Sequence, residues 1–169
     1  MTVKAKRPPP ATAAERPTQE LAKGPMRDFS RSLPMALLQA REAVMDRFRP
    51  ILRDAGVTEQ QWRVLRALYN GGPMDAGEVA RRCCLLTPSL TRIVKTLVKD
   101  GLVLREHDPA DLRRLSLAIT AKGRGLIEQV APLSEASYAE ISRLFGTDNL
   151  DELYAKLDAL VAALEDNGE

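Results

Sequence analysis

Histidine is almost missing from this 169-residue chain, with His107 its one example, and cysteine is confined to the adjacent pair Cys83 and Cys84. A single histidine leaves most metal sites without the parts they need and restricts any His-dependent triad to His107. Two neighbouring cysteines make no disulfide framework, which fits a reducing compartment. No apolar run approaches the ~18 residues that a bilayer span requires. The charged, proline-broken start, Met1 to Pro8, lacks the continuous apolar core of a signal peptide. Together these absences predict a cytoplasmic protein. G-x-G-x-x-G, P-loop and G-x-S-x-G patterns are missing too, and Lys122-Gly-Arg-Gly125 does not have the spacing of a phosphate cradle. Neither an enzyme nor a bound cofactor or metal is expected.

The 44% of hydrophobic residues is enough for an ordinary packed core, and the length leaves room for one domain plus a tail. The tail is legible. Residues 1–34 hold six of the eleven prolines and seven Lys and Arg against three acids. With little apolar periodicity they cannot offset chain entropy by burial, which predicts a disordered basic arm. Its Lys4, Lys6, Arg7, Arg16, Lys23, Arg27 and Arg31 read most simply as a solvated tail, with nucleic-acid contact as the alternative.

From Met35 the apolar residues Leu37, Leu38, Val44, Met45, Phe48, Ile51 and Leu52 recur at helical steps, and Pro50 is expected to kink or break that helix near its end. Gly56 reads as a stop. Thr58 with Gln61 forms a capping box opening a second helix through Trp62, Val64, Leu65, Leu68 and Tyr69. Asp75 is the expected N-cap of a short third helix holding Val79, Ala80, Cys83 and Cys84. Thr87-Pro88 starts a fourth, Thr87 as cap, with Leu90, Ile93, Val94, Leu97 and Val98 inward and Asp100-Gly101 as its end. Leu102 to Glu106 and Leu115 to Ile119 have β character and predict a hairpin with a long polar loop. Thr120 then caps a helix that runs across Pro132, a candidate bend, and Thr147 starts a last one with Leu150, Leu153, Leu157, Leu160, Val161 and Leu164 at near-heptad spacing. Such stripes exceed what a small central unit covers, so a helical dimer interface built from both chain ends is expected.

Residues 75–99 describe a helix-turn-helix, and the outer side of its second helix presents Thr87, Pro88, Ser89, Thr91, Arg92, Lys95, Thr96 and Lys99 with no acid before Asp100. Hydroxyls and N–H groups at a positive helix N-terminus suit phosphate oxygens, and Arg92 and Lys95 have the donors to reach guanine acceptors in a major groove. By itself this is also how an ordinary solvated helix face looks. The hairpin decides between them: its loop carries Arg113 and Arg114, placed as a wing that lays an arginine into the neighbouring minor groove, with Asp111 as the orienting partner of Arg113.

The segments Thr58-Glu-Gln-Gln-Trp-Arg-Val-Leu65, Pro88 to Val103, Asp111-Leu-Arg113 and Leu117-Ala-Ile-Thr-Ala-Lys-Gly123 resemble the MarR family of winged-helix transcriptional regulators, over about residues 35–165. The family strand usually ends Leu-Thr-x-x-Gly, where this chain has Ile119, and Leu112 stands where many members have a further phosphate-contacting Arg. Leu37 to Ala43, Phe48-Arg-Pro-Ile51 and Thr58 to Arg63 are similar to the branch that represses homoprotocatechuate or 4-hydroxyphenylacetate degradation operons. The resemblance implies a mainly α fold: a winged helix-turn-helix at about 58–120 with a small β-hairpin wing, and dimerisation helices at about 35–55 and 121–165. It also implies a homodimer on a palindromic DNA operator, released by a small phenolic carboxylic acid. Arg41 is the expected carboxylate clamp, with Met45 and Trp62 beside the ring; an interface salt bridge at Arg41 and a core role for Trp62 are the plainer alternatives. Cys83 and Cys84 are expected to be buried structural thiols, with redox sensing as the rival reading. A winged-helix module that binds protein remains a second rival.

Overall fold

Thr58 opens the central helix as its local chemistry requires: its hydroxyl accepts from the Gln61 N–H, and its own N–H donates to the Gln61 side chain at 2.8 Å. The computed structural model in which this is seen describes residues 28, 29, 32–107 and 115–166. Its elements are α1 (Leu33–Asp54), α2 (Glu59–Gly71), β1 (Met74–Asp75), α3 (Ala76–Arg82), α4 (Thr87–Lys99), β2 (Val103–His107), β3 (Leu115–Ile119), α5 (Ala121–Phe145) and α6 (Thr147–Glu165). The chain divides into two units, residues 1–41 and 42–169. In the first, α1 begins two residues inside the segment expected to be an arm, and Phe29, Leu33, Leu37 and Leu38 are exposed. Residues 1–27, 30 and 31 of the expected arm lie outside the described residues.

The second unit holds the core. Val64, Leu65 and Leu68 of α2 are completely buried, with Val79 of α3, Leu90 and Leu97 of α4, Val103 of β2, and Ile127 and Val130 of α5 around them. Burial of each large aliphatic contributes roughly 1.5–3 kcal/mol, so this cluster sets where α4 can lie. The sheet is antiparallel in the order β1-β3-β2, with Met74 opposite Leu117 and Val103 opposite Ile119. The two-residue β1 is an addition to the hairpin the sequence predicts.

Three helices end in the same way. After α1, α3 and α4 the chain turns through a left-handed residue, Gly56, Cys84 and Gly101, and in each case the next residue donates back to a carbonyl in the last turn: Val57 to Leu52, Leu85 to Ala80, Leu102 to Leu97. Glycine has no Cβ to oppose this geometry, but Cys84 does.

Four local expectations are corrected. Pro50 does not break α1, which continues to Asp54; this close to the end proline forfeits a single hydrogen bond, and Leu52, 4% exposed, anchors the last turn in the core. The cap of α4 is Leu86, without a side-chain bond, and Thr87 is already helical, because the Leu90 N–H closes the first turn onto the Leu86 carbonyl. Val98 lies at the edge of the α4 stripe and is exposed, not inward. Cys84 is exposed while Cys83 is buried, since adjacent residues of a reversing turn cannot both face the core.

Gly123 fixes how closely α5 approaches the sheet. A Cβ there would overlap the Leu102 carbonyl oxygen and lie 2.7 Å from the Ile119 Cγ1. Gly123→Ala is therefore expected to destabilise the protein by about 1–3 kcal/mol, because backbone must move to admit the methyl group. Chemical denaturation checks this, and an unchanged midpoint would show the joint to be looser than the packing implies.

Candidate nucleic-acid interface

α4 divides cleanly into two faces. Leu90, Ile93, Val94 and Leu97 are buried, while Thr87, Pro88, Thr91, Arg92, Lys95, Thr96 and Lys99 are exposed and Ser89 is half-buried. Thr91 and Thr96 spend their hydroxyl protons on carbonyls one turn back, Thr87 at 3.0 Å and Arg92 at 3.3 Å, so their oxygens face outward chiefly as acceptors. The N-terminus lacks a side-chain cap, which leaves its first N–H groups for an outside acceptor such as a phosphate oxygen. Every DNA-reading residue expected on this helix thus falls on one side of it.

Neighbouring groups sharpen the field. Arg81 and Arg82 close α3, but both donate to Glu78, whose carboxyl their hydrogen bonds, that of Arg81 first, hold below the usual range. Two cations are thereby offset by one anion, and the exposed charge beside the turn is smaller than the sequence count implies. Arg105 of β2 was not among the expected residues. It lines, with Thr87, Thr91 and Leu117, a depression of about 170 Å³ beside the start of α4. By strand alternation it shares the face of the buried Val103 and lies opposite Leu117, yet it is exposed, and the sequence pattern does not announce that exposure. The loop residues Asp111, Arg113 and Arg114 lie outside the described residues, between strands whose register is given by the His107 and Leu115 pair.

The helix-turn-helix is braced from behind. Arg63 of α2 donates to the Cys83 carbonyl at 2.7 Å, placing a cation at the C-terminal end of α3. Burial pushes the Cys83 thiol up, and the charge of Arg63 offsets only part of that rise. A neutral thiol in such a place is a weak nucleophile.

Of the residues expected to hold a ligand, Met45 and Trp62 are partly buried against the core, and Arg41 is exposed in the first unit. The structure adds Arg66, whose guanidinium lies 5.9 Å from the centre of the Trp62 ring. Its position one helical turn after Trp62 was the available signal. Among the described residues no three His, Cys, Asp or Glu side chains converge as metal ligands would, and no helix is long and apolar enough to cross a membrane.

Known proteins share this arrangement. The model of the MarR family matches residues 57–115. The homoprotocatechuate degradative operon repressor of Escherichia coli is 40% identical over 131 residues, covering 78% of this chain and 88% of the relative. The structure of NadR in complex with 4-hydroxyphenylacetate is 39% identical with a TM-score of 0.71, covering 81% of this chain and 97% of NadR. That of the transcriptional repressor CouR, bound to a 23-mer DNA duplex, is 27% identical with a TM-score of 0.71, covering 78% and 94%. With the cationic face of α4 exposed among the described residues, an antiparallel β2-β3 pair after it in the chain, and relatives of this extent, the chain belongs to the MarR family of transcriptional regulators, which are DNA-binding proteins and not enzymes.

Proposed function

We propose that the protein is a cytoplasmic, homodimeric repressor of an aromatic-acid catabolic operon, which leaves a palindromic operator when a small phenolic carboxylic acid binds. The observation that carries this reading is the α4 face, where cations and hydroxyls are exposed without an intervening acid while the opposite face is locked in the core. Dimerisation is supported by α6, none of whose side chains is buried among the described residues although Leu153, Tyr154, Val161 and Leu164 are apolar. The acid is supported by two things: the half-buried Trp62 and Arg66 pair, which offers a ring face and a cation, and the phenolic acid in the NadR complex. In this reading Arg113 enters the minor groove, oriented by Asp111, and Arg114 adds to the phosphate contacts.

Arg92→Ala is expected to cost about 1–3 kcal/mol on the preferred operator and to relax base preference there. Arg113→Ala is expected to weaken all sequences with a narrow minor groove. Mobility shifts on single-base operator variants over a range of salt separate these effects. A module that binds protein instead would show no steep, sequence-independent loss of DNA affinity as salt rises.

A further inference from the structure

The carbonyls of the turn that follows α4 are held by the N-cap and first turn of α5. The Lys122 ammonium donates to the Asp100 carbonyl at 2.7 Å, and the Thr120 hydroxyl donates to that of Gly101 at 2.7 Å while also lying 3.2 Å from that of Leu102. The Leu102 carbonyl in addition accepts the Thr120 N–H at 3.1 Å. In return the Thr120 oxygen accepts the Gly123 N–H at 3.0 Å, which caps α5. Three consecutive carbonyls, those of the C-cap Asp100 and of the two residues beyond it, are thus held from the start of the next helix, and Gly123 permits this close approach because a Cβ there would overlap the Leu102 carbonyl oxygen.

We propose that Lys122, with Thr120, is a positioning residue for operator reading, fixing the axis of α4 upon α5 so that the exposed α4 face meets base edges in register. Two features separate this role from a direct phosphate contact. The ammonium is engaged at the negative, C-terminal end of the α4 dipole, where it is favourably placed. Phosphate oxygens are drawn instead to the uncapped N-terminus thirteen residues away. An α4 released from this joint keeps its cations and its attraction for any duplex, but loses the alignment on which base contacts depend.

The test uses the full-length protein and a duplex selected from a randomised pool by the parent protein, against a scrambled duplex of the same composition. Lys122 is exposed, so Lys122→Met keeps the fold, which a thermal melt verifies. The expected result is a roughly fivefold to tenfold loss of affinity for the selected duplex. Affinity for the scrambled duplex and the slope of affinity against salt are unchanged, and Lys122→Arg restores selection. An equal loss on both duplexes with a slope reduced by about one would make Lys122 a phosphate contact and overturn the proposal. Full selectivity in Lys122→Met, or failure of Lys122→Arg to restore it, would overturn it as well. Failure of the parent protein to select any duplex would instead count against the repressor reading itself.

Discussion

Val161→Asp combined with Leu164→Asp is expected to yield a folded monomer whose operator affinity has fallen by roughly 10²–10⁴. Both side chains are well exposed within the chain, 53% and 67%, so neither carboxylate disturbs the packing of a single protomer. In a dimer that buries α6 the same two groups become charges without partners, at several kcal/mol each. Leu157 and Leu160 would be poorer choices, since both are half-buried inside the protomer and their loss would confuse unfolding with dissociation. The fall in affinity follows because a half-site bound alone forfeits the high effective concentration that the linked second half-site supplies. Sedimentation velocity, with circular dichroism on the same sample, reads both quantities. A dimer that survives the double substitution would remove this face of α6 from the interface.

The same helix shows what a single sequence can and cannot specify. Its apolar repeat predicts a partner, but only the structure shows which residues α5 already half covers and which remain exposed, because that depends on how two helices cross. Local devices were readable wherever their chemistry is local. The Thr58 capping box, the Asp75 and Thr120 caps, and the reversals at Gly56 and Gly101 each rest on residues within one turn of one another. Cys84 escaped because its left-handed turn is imposed by α3 and α4 packing on a residue type that does not announce it. That turn is also why Cys84 is exposed while Cys83 is buried. The strand β1 was hidden for a related reason: two residues carry no period, and Met74 is a strand residue only because Leu117 lies opposite.

The reading face of α4 was legible almost completely, since a helix of known phase divides inward from outward residues without further information. The ligand residues were less so. A cation on an apolar stripe marks Arg41 in the sequence, whereas Arg66 is one of several charges on α2, and only its guanidinium over the Trp62 ring sets it apart. Spacing shows that residues 62 and 66 are neighbours; it does not show that the guanidinium lies over the ring.

Arg66→Ala is accordingly expected to leave operator binding within about twofold of the parent but to raise the concentration of a hydroxyphenylacetate needed for release by roughly tenfold to a hundredfold. That range corresponds to losing one charge-assisted hydrogen bond in a partly buried place. The acid can shift the population only by the difference in its affinity for the two conformations. A residue that recognises the carboxylate should therefore alter the release curve and not the unliganded complex. Fluorescence anisotropy of a labelled operator, titrated with the acid, gives both numbers in one experiment. Arg41→Ala run beside it assigns the clamp: a shift in that variant with none in Arg66→Ala would give the carboxylate to Arg41. Equal, parent-like curves in both would exclude either cation. Peroxide serves as the third titrant, because Cys83 is buried with its thiol pushed up while Cys84 is exposed at the turn before the reading helix. If peroxide releases the parent but not Cys84→Ser, and no aromatic acid releases either, the signal belongs to the thiol and the phenolic-acid reading falls.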